Sequence, residues 1–202
     1  MAARALAAQQ SDASAASGIV SPSRLAHVVL RTSRYQAMLD WYRLVLHAET
    51  AFDNGHIGFL SYDEEHHRVA FINVPGLSEQ PEGICGLHHV AFTFDTLLQL
   101  LDNYARLKEL GVAPAWAVNH GPTTSLYYAD PEGNQIEFQV DNYDTVEEAG
   151  EFFFSDAFDV NPIGVDFDPE DLRRRLLAGE DEAILKRRPP SGPVGIEGIK
   201  LR

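Results

Sequence analysis

The sequence has one cysteine, comparatively few basic residues and no long apolar run, and each shortage argues against a class of protein. Cys85 has no second cysteine to pair with, so a reducing compartment such as the cytoplasm is expected. No stretch reaches the length of an apolar membrane span. The chain carries 16 Lys and Arg against 30 Asp and Glu, a formal net charge of -14. This charge argues against a nucleic-acid partner, because such partners need clustered cations.

The 202 residues suffice for one domain with a full hydrophobic core and two tails. Residues 1–22 are rich in Ala and Ser and lack the apolar stretch of a signal peptide, which predicts a disordered tail. Residues 143–202 form a C-terminal extension. A short helix is predicted near 169–178, where Asp168 supplies the N-cap and Pro169 the first position. The phenylalanines at 152–154 and 158 are too apolar for water, which predicts docking on the domain or a homo-oligomer.

A β-hairpin is predicted around the sequence ADPEGNQ, where a turn separates two strand-like runs. In the returning strand, Ile136 and Phe138 fall on one face and Glu137 falls on the other, because side chains alternate along a strand. Glu137 therefore faces either solvent or a site. For an isolated acid, the wet face of an antiparallel sheet is the ordinary explanation.

The segment around Glu137 belongs to a pattern that occurs twice. Residues 25–30 and 87–92 each place a His within a short apolar strand, and each is followed by a helical pattern, at 34–46 and 96–110. Short strands come next, at 56–62 and 67–74 in the first copy and at 123–129 and 135–140 in the second. The chain thus contains a βαβββ unit written twice. This predicts an α+β fold in which residues 23–142 form one domain of two paired modules.

A pseudo-twofold axis between the modules would bring the first strand of each, and the last strand of the second, to one centre. His27, His89 and Glu137 lie on those strands, and two imidazoles with one carboxylate form the facial triad of non-haem Fe(II) oxygenases. A lone His on an apolar strand is more often a core residue, but here the repeat joins two of them. Ala70 aligns with Glu137, so no fourth ligand is expected, and an open site suits catalysis better than structural zinc.

Three stretches of the chain resemble the vicinal oxygen chelate superfamily and, within it, the type I extradiol catechol dioxygenases. They are LHHVAF at 87–92, HHRVAF at 66–71, and a signature that runs from residue 118 to residue 137. The residues that match this signature at its fixed offsets are His120, Leu126, Tyr127, Asp130, Pro131, Gly133 and Glu137. The resemblance implies two βαβββ modules paired around a central metal site. Many extradiol enzymes carry two such domains, and this chain has one, as single-domain members of the family do.

The resemblance also implies a role for each residue of the site. The metal would be Fe(II), with Mn(II) as the alternative, and its ligands would be His27, His89 and Glu137. His67 would act as the acid or base, and His120 and Tyr127 would contact substrate or dioxygen. The implied substrates are dioxygen and a small aromatic diol, such as 2,3-dihydroxybiphenyl or an alkylcatechol. The expected product is a yellow compound of the 2-hydroxymuconic semialdehyde type.

His67 raises a geometric conflict, because it lies three residues before Ala70 and would point to the opposite face of a regular strand. A bulge or a later start of the strand would remove the conflict. The alternative is that the segment DEEHH is only a hydrophilic turn. An aromatic pocket is predicted nearby, and its candidate residues are Trp116, Phe92, Phe94, Phe59 and Tyr62.

Two other classes of function stay open. One is a glyoxalase, epimerase or thiol transferase of the same superfamily, since these also hold a metal between two modules. Ala70 argues against a four-ligand glyoxalase, whereas His67, His120 and Tyr127 together favour the dioxygenase. The other is a metal-free small-molecule binding protein, which would not need two His and one Glu in register. The fold alone does not decide between them, because function depends on the site.

Overall fold

Two mixed β-sheets, each with one long helix, form the body of the chain. The computed structural model describes residues 20–78, 81, 83 and 85–200. The tail predicted for residues 1–22 lies almost entirely outside these residues. None of the helices in the described part of the chain is both long and apolar enough to cross a membrane.

The first module has the predicted βαβββ order. It comprises β1 (Val28–Thr32), α1 (Tyr35–Leu46), β2 (Glu49–Asp53), β3 (Ile57–Ser61) and β4 (Val69–Asn73). The sheet has the strand order β1-β4-β3-β2, in which β1 runs parallel to β4 and the other pairs are antiparallel. The first and last strands of the unit are therefore neighbours, which is the arrangement that a site shared by both strands requires.

The second module repeats this topology and adds one strand from the C-terminal extension. It comprises β5 (His89–Thr93), α2 (Leu97–Glu109), β6 (Trp116–Asn119), β7 (Thr123–Ala129) and β8 (Gln135–Asp141). The strand order is β5-β8-β7-β6-β9, with β5 parallel to β8. The short strand β9 (Val165–Asp166) pairs with β6 and so lengthens this sheet alone.

The two long helices pack their apolar faces against the sheets and form one main core. In α1 the buried residues recur at helical spacing, as Tyr35, Met38, Leu39, Tyr42 and Val45, and α2 follows the same pattern. These side chains meet Phe71 of the first sheet and Phe138 of the second in one hydrophobic cluster. The helices occupy one face of each sheet, and the residues that alternate with the core residues line the other face.

The C-terminal extension contains more regular structure than the single helix predicted from sequence. It forms α3 (Val146–Phe152), α4 (Asp156–Val160), α5 (Pro169–Leu177) and α6 (Glu182–Leu185), with a 3-10 turn at Ile196–Gly198. The helix expected near 169–178 is α5, and Asp168 caps it by accepting a hydrogen bond from the backbone N–H of Glu170. The expected docking of the aromatic group holds for Phe152, whereas Phe153 and Phe154 are 49% and 69% exposed.

Candidate metal and active site

Glu137 is buried within the second sheet, and its carboxylate accepts a hydrogen bond from His89. The residue is 4% exposed, so it does not face solvent. His89 Nε2 lies 3.0 Å from Glu137 Oε2. The register of the parallel strands explains this contact, because His89 lies beside Gln135 and Ala91 lies beside Glu137. His89 and Glu137 are therefore diagonal neighbours on the same face of the sheet.

The carboxyl group of Glu137 is ionised despite its burial. Burial raises its pKa, but hydrogen bonds from His89 and from the Ser125 hydroxyl, together with His120 nearby, bring the pKa below its ordinary value. Sequence reasoning missed Ser125, although this residue alternates in phase with Tyr127 on β7 and so belongs to the same face. An ionised carboxylate in a buried setting is the form that binds a cation.

The first module repeats the arrangement of His89 and Glu137 with one residue changed. Val29 of β1 lies beside Ala70 of β4, and His27 lies two residues before Val29. The same offsets relate His89 to Glu137 in the second module. His27 thus takes the position of His89, and Ala70 takes that of Glu137, as the sequence alignment of the two copies predicts.

His27 and His67 form a separate group on the first module. Their ring centroids are 4.3 Å apart, and His67 stacks on Phe59 with centroids 4.4 Å apart and 12° between the ring planes. Across residues 20–78, 81, 83 and 85–200, no three His, Cys, Asp or Glu side chains lie close enough together to hold a metal ion. The structure thus joins His89 with Glu137 and His27 with His67, and it does not gather His27 with the other two predicted ligands.

The strand that carries Ala70 begins late, at Val69, and this resolves the conflict over His67. His67 lies in the loop before the strand, where alternation does not fix the direction of a side chain. Its Nδ1 lies 2.5 Å from Nδ1 of His66, which leaves Nε2 as the nitrogen on the opposite side of the ring. Burial, and then the charge of His27, lower the pKa of His67, so its imidazole is neutral at neutral pH and can accept a proton.

His120 and Tyr127 lie next to Glu137. Tyr127 on β7 is directly opposite Glu137 on β8, which puts both side chains on one face. The Tyr127 hydroxyl oxygen lies 3.0 Å from His120 Nε2, and the Tyr127 ring stacks on Trp116 with centroids 5.1 Å apart. The ring centroids of His89 and Tyr127 are 5.2 Å apart. Four of the predicted site residues are therefore assembled on the second module.

Burial controls the protonation of the His120–Tyr127 pair. Desolvation lowers the pKa of His120 more than its hydrogen bond to the Ile163 carbonyl raises it, so the imidazole is neutral at neutral pH. Burial and the negative charge of Glu137 raise the pKa of Tyr127, so the phenol keeps its proton. The site thus presents a neutral imidazole and a protonated phenol beside an ionised carboxylate, an arrangement able to hydrogen-bond the oxygens of a small molecule.

The five aromatic residues predicted to line a pocket divide between the site and other surroundings. Trp116 and Phe59 stack on site residues, one on each module. Phe92 and Phe94 pack against the main core instead, and Tyr62 is 46% exposed. The aromatic surface next to the site residues is therefore smaller than the sequence suggested, with one ring contributed by each module.

The chemistry of these side chains fits the divalent transition-metal ion that the resemblance implies. Imidazole nitrogen and carboxylate oxygen are ligands common to Fe(II) and Mn(II) sites in proteins. The buried contact between His89 and the ionised Glu137 already joins one donor of each type. His27 carries a further imidazole at the equivalent position of the other module, apart from this pair.

Comparison with known proteins identifies the family to which the chain is similar. The profile of the Glyoxalase/Bleomycin resistance protein/Dioxygenase superfamily matches residues 24–138, which span nearly all of both modules. Two proteins of Rhodococcus globerulus are similar over most of the chain. Biphenyl-2,3-diol 1,2-dioxygenase 2 is 47% identical over 157 residues, covering 77% of this chain and 83% of that protein. Biphenyl-2,3-diol 1,2-dioxygenase 3 is 44% identical over 167 residues, covering 82% and 88%.

Solved structures match the paired modules. The crystal structure of a glyoxalase/dioxygenase from Nostoc punctiforme has a TM-score of 0.51 and 21% sequence identity. The match covers 61% of this chain and 96% of that one. At this identity the likeness shows the fold alone.

Proposed function

Because this chain belongs to the Glyoxalase/Bleomycin resistance protein/Dioxygenase superfamily, we infer its reaction from its relatives and its site together. The chain is an extradiol dioxygenase, an enzyme that opens an aromatic ring beside two adjacent hydroxyl groups. One observation carries this conclusion, namely 44–47% identity over most of the chain to two biphenyl-2,3-diol 1,2-dioxygenases. The ionised Glu137 in contact with His89 supports it.

The proposed substrates are dioxygen and a catechol with an apolar substituent, of which biphenyl-2,3-diol is the leading candidate. The names of the two relatives, both biphenyl-2,3-diol 1,2-dioxygenases, support this choice. So does the face of the first sheet that carries His27, where Val29 and Ile72 are apolar and 48% and 36% exposed. Partly exposed apolar side chains beside polar site residues are typical of pockets for small aromatic molecules.

The proposed metal is Fe(II), with Mn(II) as the alternative, and the proposed ligands are His27, His89 and Glu137. Two imidazoles and one carboxylate suit both ions, and Ala70 in place of a fourth ligand keeps the site open. When bound, Fe(II) supplies the one-electron chemistry that allows dioxygen to react with an aromatic diol.

Three other residues of the chain would handle the protons of the substrate. His67 is neutral, so its Nε2 can accept the proton of a catechol hydroxyl and later return it to an oxygen of the product. The Tyr127 hydroxyl donates its proton to His120 Nε2 at 3.0 Å, so its oxygen can accept a hydrogen bond from the other substrate hydroxyl. Both atoms of dioxygen would enter the product, a ring-opened compound of the 2-hydroxymuconic semialdehyde type.

Anaerobic loading with Fe(II), followed by oxygen uptake and visible absorbance, tests this function. The panel contains biphenyl-2,3-diol, 3-alkylcatechols, 4-alkylcatechols and catechol itself, and the controls are metal-free protein and protein loaded with Zn(II). Protein loaded with Mn(II) decides between the two proposed metals. Oxygen consumption with a yellow product is expected, fastest with the apolar 3-substituted catechols. If the metal binds but no diol reacts, a sister metalloenzyme replaces this proposal. If no metal binds, a metal-free binding protein does.

A further inference from the structure

We propose that the C-terminal extension positions the substrate-binding pair His120 and Tyr127, and that Arg188 holds the extension to the loop that carries His120. The inference rests on the proposed catechol cleavage, in which this pair contacts a substrate oxygen. Neither residue of the pair lies in the extension, yet two parts of the extension contact His120, namely the carbonyl of Ile163 and the guanidinium of Arg188. The ring of Phe152, also from the extension, covers the next residue, Gly121.

The Ile163 carbonyl selects the tautomer of His120. Nδ1 of His120 contacts this carbonyl oxygen, which can only accept, so Nδ1 must carry the proton. In the neutral imidazole Nε2 is then an acceptor, and it faces the Tyr127 hydroxyl at 3.0 Å. One backbone carbonyl of the extension therefore determines which hydrogen bond the Tyr127 hydroxyl can make on this side.

A rigid turn presents that carbonyl to His120. Asn161 is completely buried, and its Oδ1 accepts hydrogen bonds from the backbone N–H groups of Ile163 and Gly164 at 3.0 and 2.9 Å. Gly164 has φ of +135°, and a Cβ atom there would lie 2.7 Å from the carbonyl oxygen of Asn119. Only glycine permits this close approach of the turn to β6, the strand that leads into His120.

Arg188 joins the turn to the backbone of His120. Its Nη1 donates to the His120 carbonyl at 3.1 Å, and its Nη2 donates to the Asn161 carbonyl at 2.7 Å. The guanidinium also lies 5.5 Å from the centroid of Phe152, whose ring covers Gly121. Among the residues that the structure describes, no carboxylate forms a salt bridge with Arg188.

The planar fork of an arginine is suited to hold two carbonyls at a fixed separation, and a lysine or glutamine is not. Without Arg188, the loop that carries His120 and the turn that carries Ile163 lose their shared donor. The His120 ring is then free to change its orientation and tautomer, and the Tyr127 hydroxyl loses its fixed acceptor. The effect should fall on the chemical step more than on substrate binding, because misplacement of a reacting group by about 1 Å costs up to about 100-fold in rate.

The first test compares Arg188→Gln with Arg187→Gln in the Fe(II)-loaded enzyme. Arg187 is the exposed neighbour, so its replacement removes one positive charge and leaves the hydrogen bonds of Arg188 to the two carbonyls intact. We expect kcat of Arg188→Gln to fall about tenfold or more, with KM within about twofold and iron content unchanged, whereas Arg187→Gln behaves as wild type. In a Tyr127→Phe background the effect of Arg188→Gln on kcat should largely disappear, because both changes act through one hydroxyl.

The second test reads the tautomer directly and needs neither metal nor turnover. Imidazole 15N shifts of the metal-free protein, with the His120 signals assigned by their loss in His120→Gln, should show Nδ1 protonated and Nε2 unprotonated in wild type. Arg188→Gln should shift these signals toward a mixture of the two tautomers, while circular dichroism stays unchanged. Should Arg188→Gln fail to fold, Arg188→Lys keeps the positive charge without the planar fork and should change kcat and the 15N shifts in the same direction.

Each outcome decides the question. Wild-type kcat together with wild-type 15N shifts in a folded Arg188 variant would overturn the positioning role, as would full activity in Arg188→Lys. A wild-type enzyme that cleaves no catechol would instead refute the proposed function, and the 15N comparison would still show whether the extension sets the tautomer of His120.

Discussion

Replacement of Glu132 tests whether its carboxylate helps to hold the two modules together. Its Oε1 accepts hydrogen bonds from Thr32 Oγ1 at 2.9 Å and from the backbone N–H groups of Ser33 and Arg34 at 3.1 and 3.2 Å. Residues 32–34 lead into α1 of the first module, whereas Glu132 lies in the β7–β8 turn of the second. Within the described chain, the N-cap residue of α1, Arg34, makes no side-chain capping bond. Glu132 supplies a carboxylate there from the other module.

The contacts of Glu132 allow the loss of unfolding free energy in Glu132→Ala to be estimated. Removal of a capping side chain costs about 0.5–2 kcal/mol. Thr32 is completely buried, and the loss of its acceptor adds about 1 kcal/mol. The free energy of unfolding should therefore fall by about 2 kcal/mol. Glu132→Gln keeps an oxygen acceptor and loses only the charge near the helix N-terminus, so it should cost about 0.3–1 kcal/mol.

Urea unfolding followed by circular dichroism measures these differences. For a chain of this size, about 2 kcal/mol corresponds to a fall in Tm of about 4–8 °C. The matched control is Glu64→Ala, since Glu64 is an exposed glutamate in the equivalent turn of the first module, and its loss should stay within about 0.5 kcal/mol. Wild-type stability of Glu132→Ala, or equal losses for the Ala and Gln variants, would falsify the assignment of Glu132 as a cap between modules.

Three further predictions concern the site and the extension. His89→Ala should abolish both metal binding and turnover, as measured by metal content and oxygen uptake after anaerobic loading, and retained activity would remove His89 from the ligand set. His67→Phe should keep the metal but lower turnover by about 100-fold or more, the usual contribution of a general acid or base, whereas loss of the metal would mean that His67 is a ligand. Burial raises the pKa of Asp166, but hydrogen bonds from Lys200 and Trp116 bring it below its ordinary value. A lowered pKa of the folded state means that this carboxylate stabilises the protein above its unfolded pKa of about 3.9, and that the contribution disappears as the pH falls through the folded value. The Asp166→Asn variant should therefore lose part of the change in tryptophan fluorescence seen on acidification below about pH 4, and an unchanged titration would exclude Asp166 as its source.

The repeat and its faces could be predicted from the sequence because they depend on local periodicity. The predicted helices at 34–46 and 96–110 correspond to Tyr35–Leu46 and Leu97–Glu109, and the strand at 123–129 is Thr123–Ala129. The first strands of the modules begin later than predicted, at Val28 and His89. Their start depends on where the partner strand begins to pair, which apolar pattern alone does not reveal.

The surroundings of His120 could not be predicted, because their chemistry resides in the backbone and in long-range contacts. The group that fixes His120 is the backbone carbonyl of Ile163. Every residue carries such a carbonyl, so the residue type at position 163 gives no signal in the sequence. Arg188 donates to carbonyls that are 68 and 27 residues away in the sequence, at positions with no periodic relation to it. Hydrophobic periodicity and sequence motifs identify candidate reactive side chains such as His120, whereas the backbone and long-range contacts that hold them are visible only in the folded structure.

The two long helices receive their N-terminal carboxylates from different parts of the chain. The N-terminus of α1 takes its carboxylate from Glu132, in the β7–β8 turn of the other module. The equivalent turn of the first module, residues 62–68, carries His67, whose ring centroid lies 4.3 Å from that of His27. The backbone N–H of Leu97, the first residue of α2, instead donates to Oε1 of Glu182 in the extension at 3.3 Å. In the second module the extension therefore supplies to α2 the kind of carboxylate contact that Glu132 supplies to α1.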